Sequence, residues 1–168
     1  PIAVIGSRRC SDYGRKAAEM ISGQLAECGA CIVSGMAYGI DKMAAIAALE
    51  RSKAEISTIA VLGSGVDVVY PEENRKLYDE ICDKGAVVSE FLPGTVPESK
   101  HFPQRNRIIC GISWGVVVAE AAIKSGTRIT ADFALEQGRD VFAIPGRITD
   151  PFCQGTNHMI QQGAAKPV

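Results

Sequence analysis

Histidine is nearly absent from this sequence, with two in 168 residues, and aromatic side chains make up only 6% of it. Neither His101 nor His158 has a Ser or Cys nucleophile and an orienting acid at recognisable spacing, and no Gly-x-Ser-x-Gly elbow is present. The first glycine turn, Gly6-Ser7-Arg8-Arg9-Cys10-Ser11, lacks the three glycines of a dinucleotide fingerprint, and there is no Walker lysine motif. Excess charge is missing too: the formal net charge is −1, which excludes a polybasic coat and leaves any anion affinity to local clustering. No apolar run approaches the ~20 residues needed to span a bilayer, and no signal-peptide pattern opens the chain. There is no initiator Met; the strand-like run Pro1-Ile2-Ala3-Val4-Ile5 gives the expectation of a domain excised from a longer protein. Cysteine is not scarce, with six. Cys28 and Cys31 form a CxxC, but without a second pair and with Gly29 at a helix end, neither a zinc site nor a redox centre is expected. Six reduced thiols fit a cytosolic compartment. No metal or cofactor is expected, and no catalytic residue.

What is present is alternation. Apolar strand-like runs at Ile2–Ile5, Cys31–Ser34, Ile56–Leu62, Ala86–Ser89, Trp114–Ala119 and Val141–Ile144 are separated by helical patterns. These run from about Tyr13 to Cys28, Asp41 to Arg51, Pro71 to Gly85, Pro103 onward through Ile108, Ile109 and Ile112, Thr127 to Gln137, and Thr156 to Gln162. Near-continuous apolar strands alternating with helices predict an α/β, doubly wound, mostly parallel sheet with helices on both faces. The whole chain, 1–168, reads as one domain of Rossmann-like type. Ligands of such folds lie outside the carboxyl ends of the strands, near a switch in strand order. Five glycine turns collect there: Gly6-Ser7-Arg8, Ser34-Gly35, Gly63-Ser64-Gly65, Lys124-Ser125-Gly126-Thr127 and Pro145-Gly146. Glycine admits close backbone approach, and helix N-termini offer free N–H groups to phosphate.

The charges sharpen this. Lys100-His101-Phe102-Pro103-Gln104-Arg105-Asn106-Arg107 sets cations, a ring and a proline ahead of an apolar helical pattern. With Pro103 at the first helical position, Arg105 and Arg107 fall in the first turn, where the helix dipole prefers carboxylates. The start at Pro71-Glu72-Glu73-Asn74 shows the opposite pattern, with acids in the first turn. Arg8 and Arg9, Arg15 and Lys16, and Lys124 and Arg128 flank two further helix starts, so cations from three parts of the sequence line one edge. That pattern points to a phosphate-bearing ligand. Phe102, and Tyr38 in the Gly35–Gly39 loop, either stack on a ligand's bases or pack and support their loops. Asp41, Asp67, Glu90 and Glu120 fall near strand ends; Asp41 reads most simply as a helix cap and Glu120 as a partner for loop backbone.

These motifs together resemble the central domain of the DNA-processing protein A family, also called DprA or Smf. The resemblance runs in order through Ala3–Arg8, Val33–Asp41, Ile59–Asp67, Tyr70–Asn74, Ser89–Phe91, His101–Ile109, Lys124–Thr127, Val141–Gly146 and Gly155–Asn157, nearly the whole chain. It implies a cytoplasmic, non-enzymatic protein that binds single-stranded DNA, assists loading of the RecA recombinase during DNA processing and natural transformation, and forms a homodimer. It also implies N-terminal helical and C-terminal winged-helix domains that this sequence does not contain. DNA contacts are carried over to Gly6, Ser7, Arg8, Ser34, Gly35, Tyr38, Gly39, Lys100, Phe102, Arg105, Asn106, Arg107, Lys124, Ser125, Gly126 and Thr127. Arg8, Arg105, Arg107 and Lys124 are expected to meet phosphates. Many relatives carry a basic residue where this chain has Tyr38.

A different class, a nucleotide-binding phosphoribohydrolase-like enzyme, shares this fold style. Such enzymes carry a Pro-Gly-Gly-x-Gly-Thr turn followed by a glutamate. Lys124-Ser125-Gly126-Thr127 lacks that glycine density, and Glu136 lies too far along to complete the motif.

Overall fold

The computed structural model describes residues Pro1–Val168. Seven strands form one parallel sheet in the order β4-β3-β2-β1-β5-β6-β7. They are β1 (Ile2–Gly6), β2 (Ile32–Ser34), β3 (Thr58–Val61), β4 (Ala86–Val88), β5 (Gly115–Glu120), β6 (Asp140–Ala143) and β7 (Lys166–Pro167). The helices are α1 (Asp12–Glu27), α2 (Ile40–Arg51), α3 (Arg75–Lys84), α4 (His101–Gly111), α5 (Thr127–Glu136) and α6 (Gln154–Gln161). The expected tail after α6 pairs with β6 as a short edge strand. No helix is long and apolar enough to cross a membrane.

The sheet is covered on both faces because its central strands are apolar at nearly every position. In β1, Ala3 and Ile5 pack with Ile109 and Cys110 of α4, Ala131 and Ala134 of α5 and Met159 of α6. Val4, between them, packs with Ala17, Ala18 and Ala26 of α1 and Ala44 and Ala48 of α2. Met36, Ala60 and Leu62 meet Leu77 and Ile81 of α3 on that second face. Alternate side chains of one strand thus serve two cores. After β1 the chain winds outward through β2, β3 and β4, then crosses back by α4 to β5 on the other side of β1. The β1/β5 junction is therefore the switch point, where a crevice opens at the carboxyl ends.

One irregularity shapes that crevice. The β1/β5 register slips between Ile5 and Gly6, so that Gly6 lies opposite Glu120. Val117 and Ala119 face α1 and α2, whereas Val116 and Val118 face the other core. Strict alternation would send Glu120 the way of Val118, yet its carboxylate lies against Ser11 at the start of α1. A bulge re-aims a side chain in this way.

The start of α4 differs from the sequence expectation. The helix begins at His101, so Pro103 is its third residue, and Arg105 and Arg107 lie in its second turn. Proline is tolerated there because the first turn's N–H groups have no intrahelical partner to lose. The helix from Pro71 likewise divides into a 3-10 turn at Glu72–Asn74 followed by α3. At α1, Asp12 occupies the first turn and pairs with Arg15 at 3.2 Å, so that helix start is not the cationic one the sequence suggested.

Candidate functional site

The switch-point crevice is a cavity of about 590 Å³. The loop after β1 supplies Gly6, Ser7, Arg8 and Arg9, the first turns of α4 supply Phe102, Arg105 and Asn106, and the loop into α5 supplies Ser125, Gly126 and Thr127. Ser125 Oγ accepts from the Thr127 N–H at 3.1 Å and donates to Thr127 Oγ1 at 2.9 Å, fixing the mouth of α5. Ser7 Oγ donates to the Arg9 carbonyl at 2.8 Å and tightens the turn on the facing wall.

Arg8 is exposed, and its guanidinium lies 4.8 Å from the centroid of the Phe102 ring. Phe102 in turn sits 5.5 Å from the Tyr70 ring, centroid to centroid, and beneath the ring is Gly63. A β-carbon at Gly63 would come within 2.9 Å of that ring, so glycine there lets Phe102 lie down. Phe102 is therefore both packed and presented: it supports Arg8 and faces the cavity. Such a cation–ring stack is worth about 0.5–1 kcal/mol when exposed and holds the guanidinium plane in place.

Arg105 behaves differently from the expectation of a free phosphate ligand. It is 4% exposed and reaches back under the β2–α2 loop. It donates through Nη1 to the carbonyls of Gly35 (2.9 Å) and Val61, and through Nε to Asn106 Oδ1 at 3.2 Å. From the other side, Asp41 Oδ2 accepts the Gly35 N–H at 2.9 Å. Gly35 is thus gripped by an acid on its N–H and a cation on its carbonyl. Burial lowers the Arg105 pKa to about 10, Asp41 opposing that shift and Arg8 adding to it, so the guanidinium stays charged at neutral pH. Burial raises the Asp41 pKa, and Arg105 and the Gly35 N–H hold it back. The two charges sustain each other. Asp41 is not the cap of α2, which begins after Gly39; its carboxylate serves the loop instead.

Other expected contacts are distributed as follows. Ser34 is fully buried, with its hydroxyl on the Asp41 carbonyl, and Gly35 is buried beside it. Gly39 has φ +73°, and a β-carbon there would stand 2.3 Å from the Ser7 carbonyl oxygen, so it is needed for close approach of two loops. Arg107 points away from the cavity and pairs with Glu90, because it lies two residues from the buried stripe that carries Arg105. Lys100 pairs with Glu98 at 2.9 Å, outside the cavity lining. Lys124 is exposed beside the Ser125–Thr127 mouth. Arg9, one of the expected cations, lines the cavity as well, and so do residues not expected as ligands, among them Asp41, Tyr70 and Thr130. Tyr70 could have been suspected from its place before the Pro71 helix start, on the same rim as Gly63–Gly65.

Tyr38 supports its loop. Its hydroxyl donates to Glu73, and Asn74 Nδ2 donates to the Met36 carbonyl at 2.9 Å, holding Met36 at φ +53°. The Glu73 hydrogen bond is the main cause of a Tyr38 pKa of about 12. In an ultraviolet titration Glu73→Gln should bring one late tyrosine back toward the ordinary value of about 10, while Tyr13 and Tyr78, raised chiefly by burial, should stay in place. A Tyr38 titration unchanged by that substitution would show the contact to be absent in solution.

The six thiols are free. Burial pushes those of Cys110 and Cys153 up to about 11, leaving both inert as nucleophiles at neutral pH. Glu120 is fully buried, and its two oxygens accept from the backbone N–H (2.8 Å) and the hydroxyl of Ser11. Its carboxylate is committed to α1 and does not line the cavity.

The family DNA recombination-mediator protein A matches the chain over residues 1–168. DNA processing protein DprA of Streptococcus pneumoniae is 50% identical over 163 residues, 97% of this chain and 56% of the relative, so the chain spans little more than half of that protein. The X-ray structure of that DprA superposes with a TM-score of 0.90, over 99% of this chain and 57% of the other. DNA processing protein A of Helicobacter pylori, described for its single-stranded DNA binding mode, superposes equally well. Its TM-score is 0.90 at 32% identity, covering 99% of this chain and 74% of that one. A match from the first residue to the last, with the same overall fold, leads to one conclusion: the chain belongs to the DNA recombination-mediator protein A family.

Proposed function

We propose that the crevice binds single-stranded DNA without reading its sequence. The observation that carries this is the Arg8–Phe102–Tyr70 stack on the rim of a cavity whose other wall is the α5 mouth. Arg8, Arg9 and Lys124 are exposed cations with no carboxylate partner, suited to phosphates. Ser125 and Thr127 add hydroxyls and amides that position a backbone. Ring faces favour bases that are unstacked, which a duplex does not offer. The likeness to the Helicobacter pylori protein supports the same reading.

The family's description as a recombination mediator extends the reading to RecA: the domain holds the strand for the incoming recombinase, in the cytoplasm, as a homodimer. Half-exposed Leu135 on α5 and Ile112 just past the end of α4, the helix packed against α5, offer apolar surface for a second copy. Turnover of a nucleotide is not part of this proposal, since Glu120, the acid nearest the switch point by sequence, is spent on Ser11.

Fluorescence anisotropy with labelled oligothymidylate across a salt series tests it. Binding should weaken steeply with salt, and each phosphate contact should add about 0.7 to the slope of log K against log salt. Arg8→Ala should lower affinity for every sequence and reduce that slope by about 0.7. Duplex binding as tight as single-strand binding, or an unchanged slope, would remove the basis for the proposal.

A further inference from the structure

A second cavity, of about 510 Å³, opens on the same rim on the far side of the loop after β1. Ser11, Asp12, Tyr13, Gly146, Arg147 and Asp150 line it. Its size falls in the ~300–1,000 Å³ range of small-ligand clefts. We propose that it is a second nucleotide subsite on the path of the strand, in which Tyr13 stacks on a base and Arg147 meets a phosphate. The inference rests on the single-stranded DNA reading of the first cavity.

Four observations converge on it. First, the floor is rigid and shaped. Asn157 grips Gly146 from both sides, accepting its N–H and donating to its carbonyl at 3.0 Å each. A β-carbon at Gly146 would strike Cys153 Sγ at 2.2 Å, so only glycine fits. Second, Tyr13 is 47% exposed, although its hydroxyl is tied to the Pro145 carbonyl at 2.6 Å. A ring anchored at its tip with its body in solvent is a platform that costs little entropy to use. Third, neither acid of the lining pairs with Arg147. Asp12 pairs with Arg15, and Asp150 Oδ1 accepts the Phe152 N–H at 2.9 Å. Arg147 itself is exposed and forms no ion pair. Fourth, the two cavities are contiguous along the chain. Arg9 lines the first and Ser11 the second, two residues that span at most about 7 Å. Adjacent nucleotides of one strand can therefore occupy both, with Arg9 between them.

The test is a length series of oligothymidylates, from the trinucleotide upward, on the protein and its Tyr13→Ala and Tyr13→Phe variants. Tyr13→Ala should weaken long strands by about 5- to 150-fold, the effect of one lost stacked base, while leaving the shortest bound strands at wild-type affinity. Tyr13→Phe keeps the ring and should retain long-strand binding. Strands carrying a single 5-iododeoxyuridine should photo-crosslink to Tyr13 from a position adjacent to the one that crosslinks to Phe102. Equal weakening at every length, no weakening at any length, or no Tyr13 crosslink overturns the second subsite while the first cavity's binding stands. Failure of the unsubstituted protein to bind any strand defeats the underlying reading instead.

Discussion

Replacing Arg105 with alanine is expected to destabilise the protein by about 3–5 kcal/mol, the range for removing one partner from a buried charged arrangement. Three losses coincide. The Gly35 and Val61 carbonyls lose their donor, and buried Asp41 loses the cation that does most to sustain its charge, only Arg8 remaining. A cavity also remains where the guanidinium lay against Gly35, close enough that a β-carbon there would touch it at 2.4 Å. Lysine is not a substitute, because a point charge cannot serve two carbonyls and Asn106 in the plane of a fork. The measurement is a urea midpoint at constant m-value. A loss below about 1 kcal/mol would show that Arg105 is a surface ligand after all. Under conditions where the variant remains folded, its salt slope for oligothymidylate should equal that of the unsubstituted protein, since a residue that holds a loop releases no counterions.

Glu120→Ala is expected to cost about 2–4 kcal/mol, from two orphaned donors on Ser11 and the cavity left by a fully buried side chain. Its effect should concentrate at α1, whose first turn Ser11 caps by accepting the Gly14 N–H at 3.1 Å. Amide hydrogen exchange at Gly14 and Arg15 should accelerate beyond what the global change explains. Glu120→Gln keeps one acceptor and should cost less than half as much. If Glu120→Ala leaves stability unchanged and abolishes an enzymatic turnover, the carboxylate is catalytic and the binding reading gives way to the enzyme one.

The order of strands and helices was legible because the central strands are apolar at nearly every position and most helices are bounded by glycine, proline or a polar residue. The rim was legible from the glycine turns that follow strands, because those turns lie at the carboxyl edge of a doubly wound sheet, whereas Gly29, Gly85 and Gly138 close helices on the opposite edge. Arg105 and Arg107 were not separable by dipole reasoning, which treats both as surface charges. Spacing carried the missing signal: His101, Arg105 and Ile109 recur every four residues and are all buried, while Arg107 falls off that stripe and meets Glu90. The role of Glu120 was half legible. A backbone partner was expected, but its turn toward α1 depends on a register slip between strands more than a hundred residues apart in sequence. No local pattern encodes such a slip. Tyr38 was read as either stacking or supporting, and only the fold brings Glu73 within reach of its hydroxyl.

The close approach at Gly39 has a further consequence, for the rate of capture. The Ile40 N–H donates to the Ser7 carbonyl at 3.2 Å, and Gly39 packs against the carbonyls of Ser7 and Arg8. The loops after β1 and β2 are therefore one body, and Arg8 inherits the rigidity of the Gly35 grip one loop away. Under the proposed function, a strand arriving at this rim would meet cations already in position, with no loop to order before contact. Encounter would then be limited by diffusion and by the field of Arg8, Arg9 and Lys124, and differences in affinity between strands would be expressed in how long they stay.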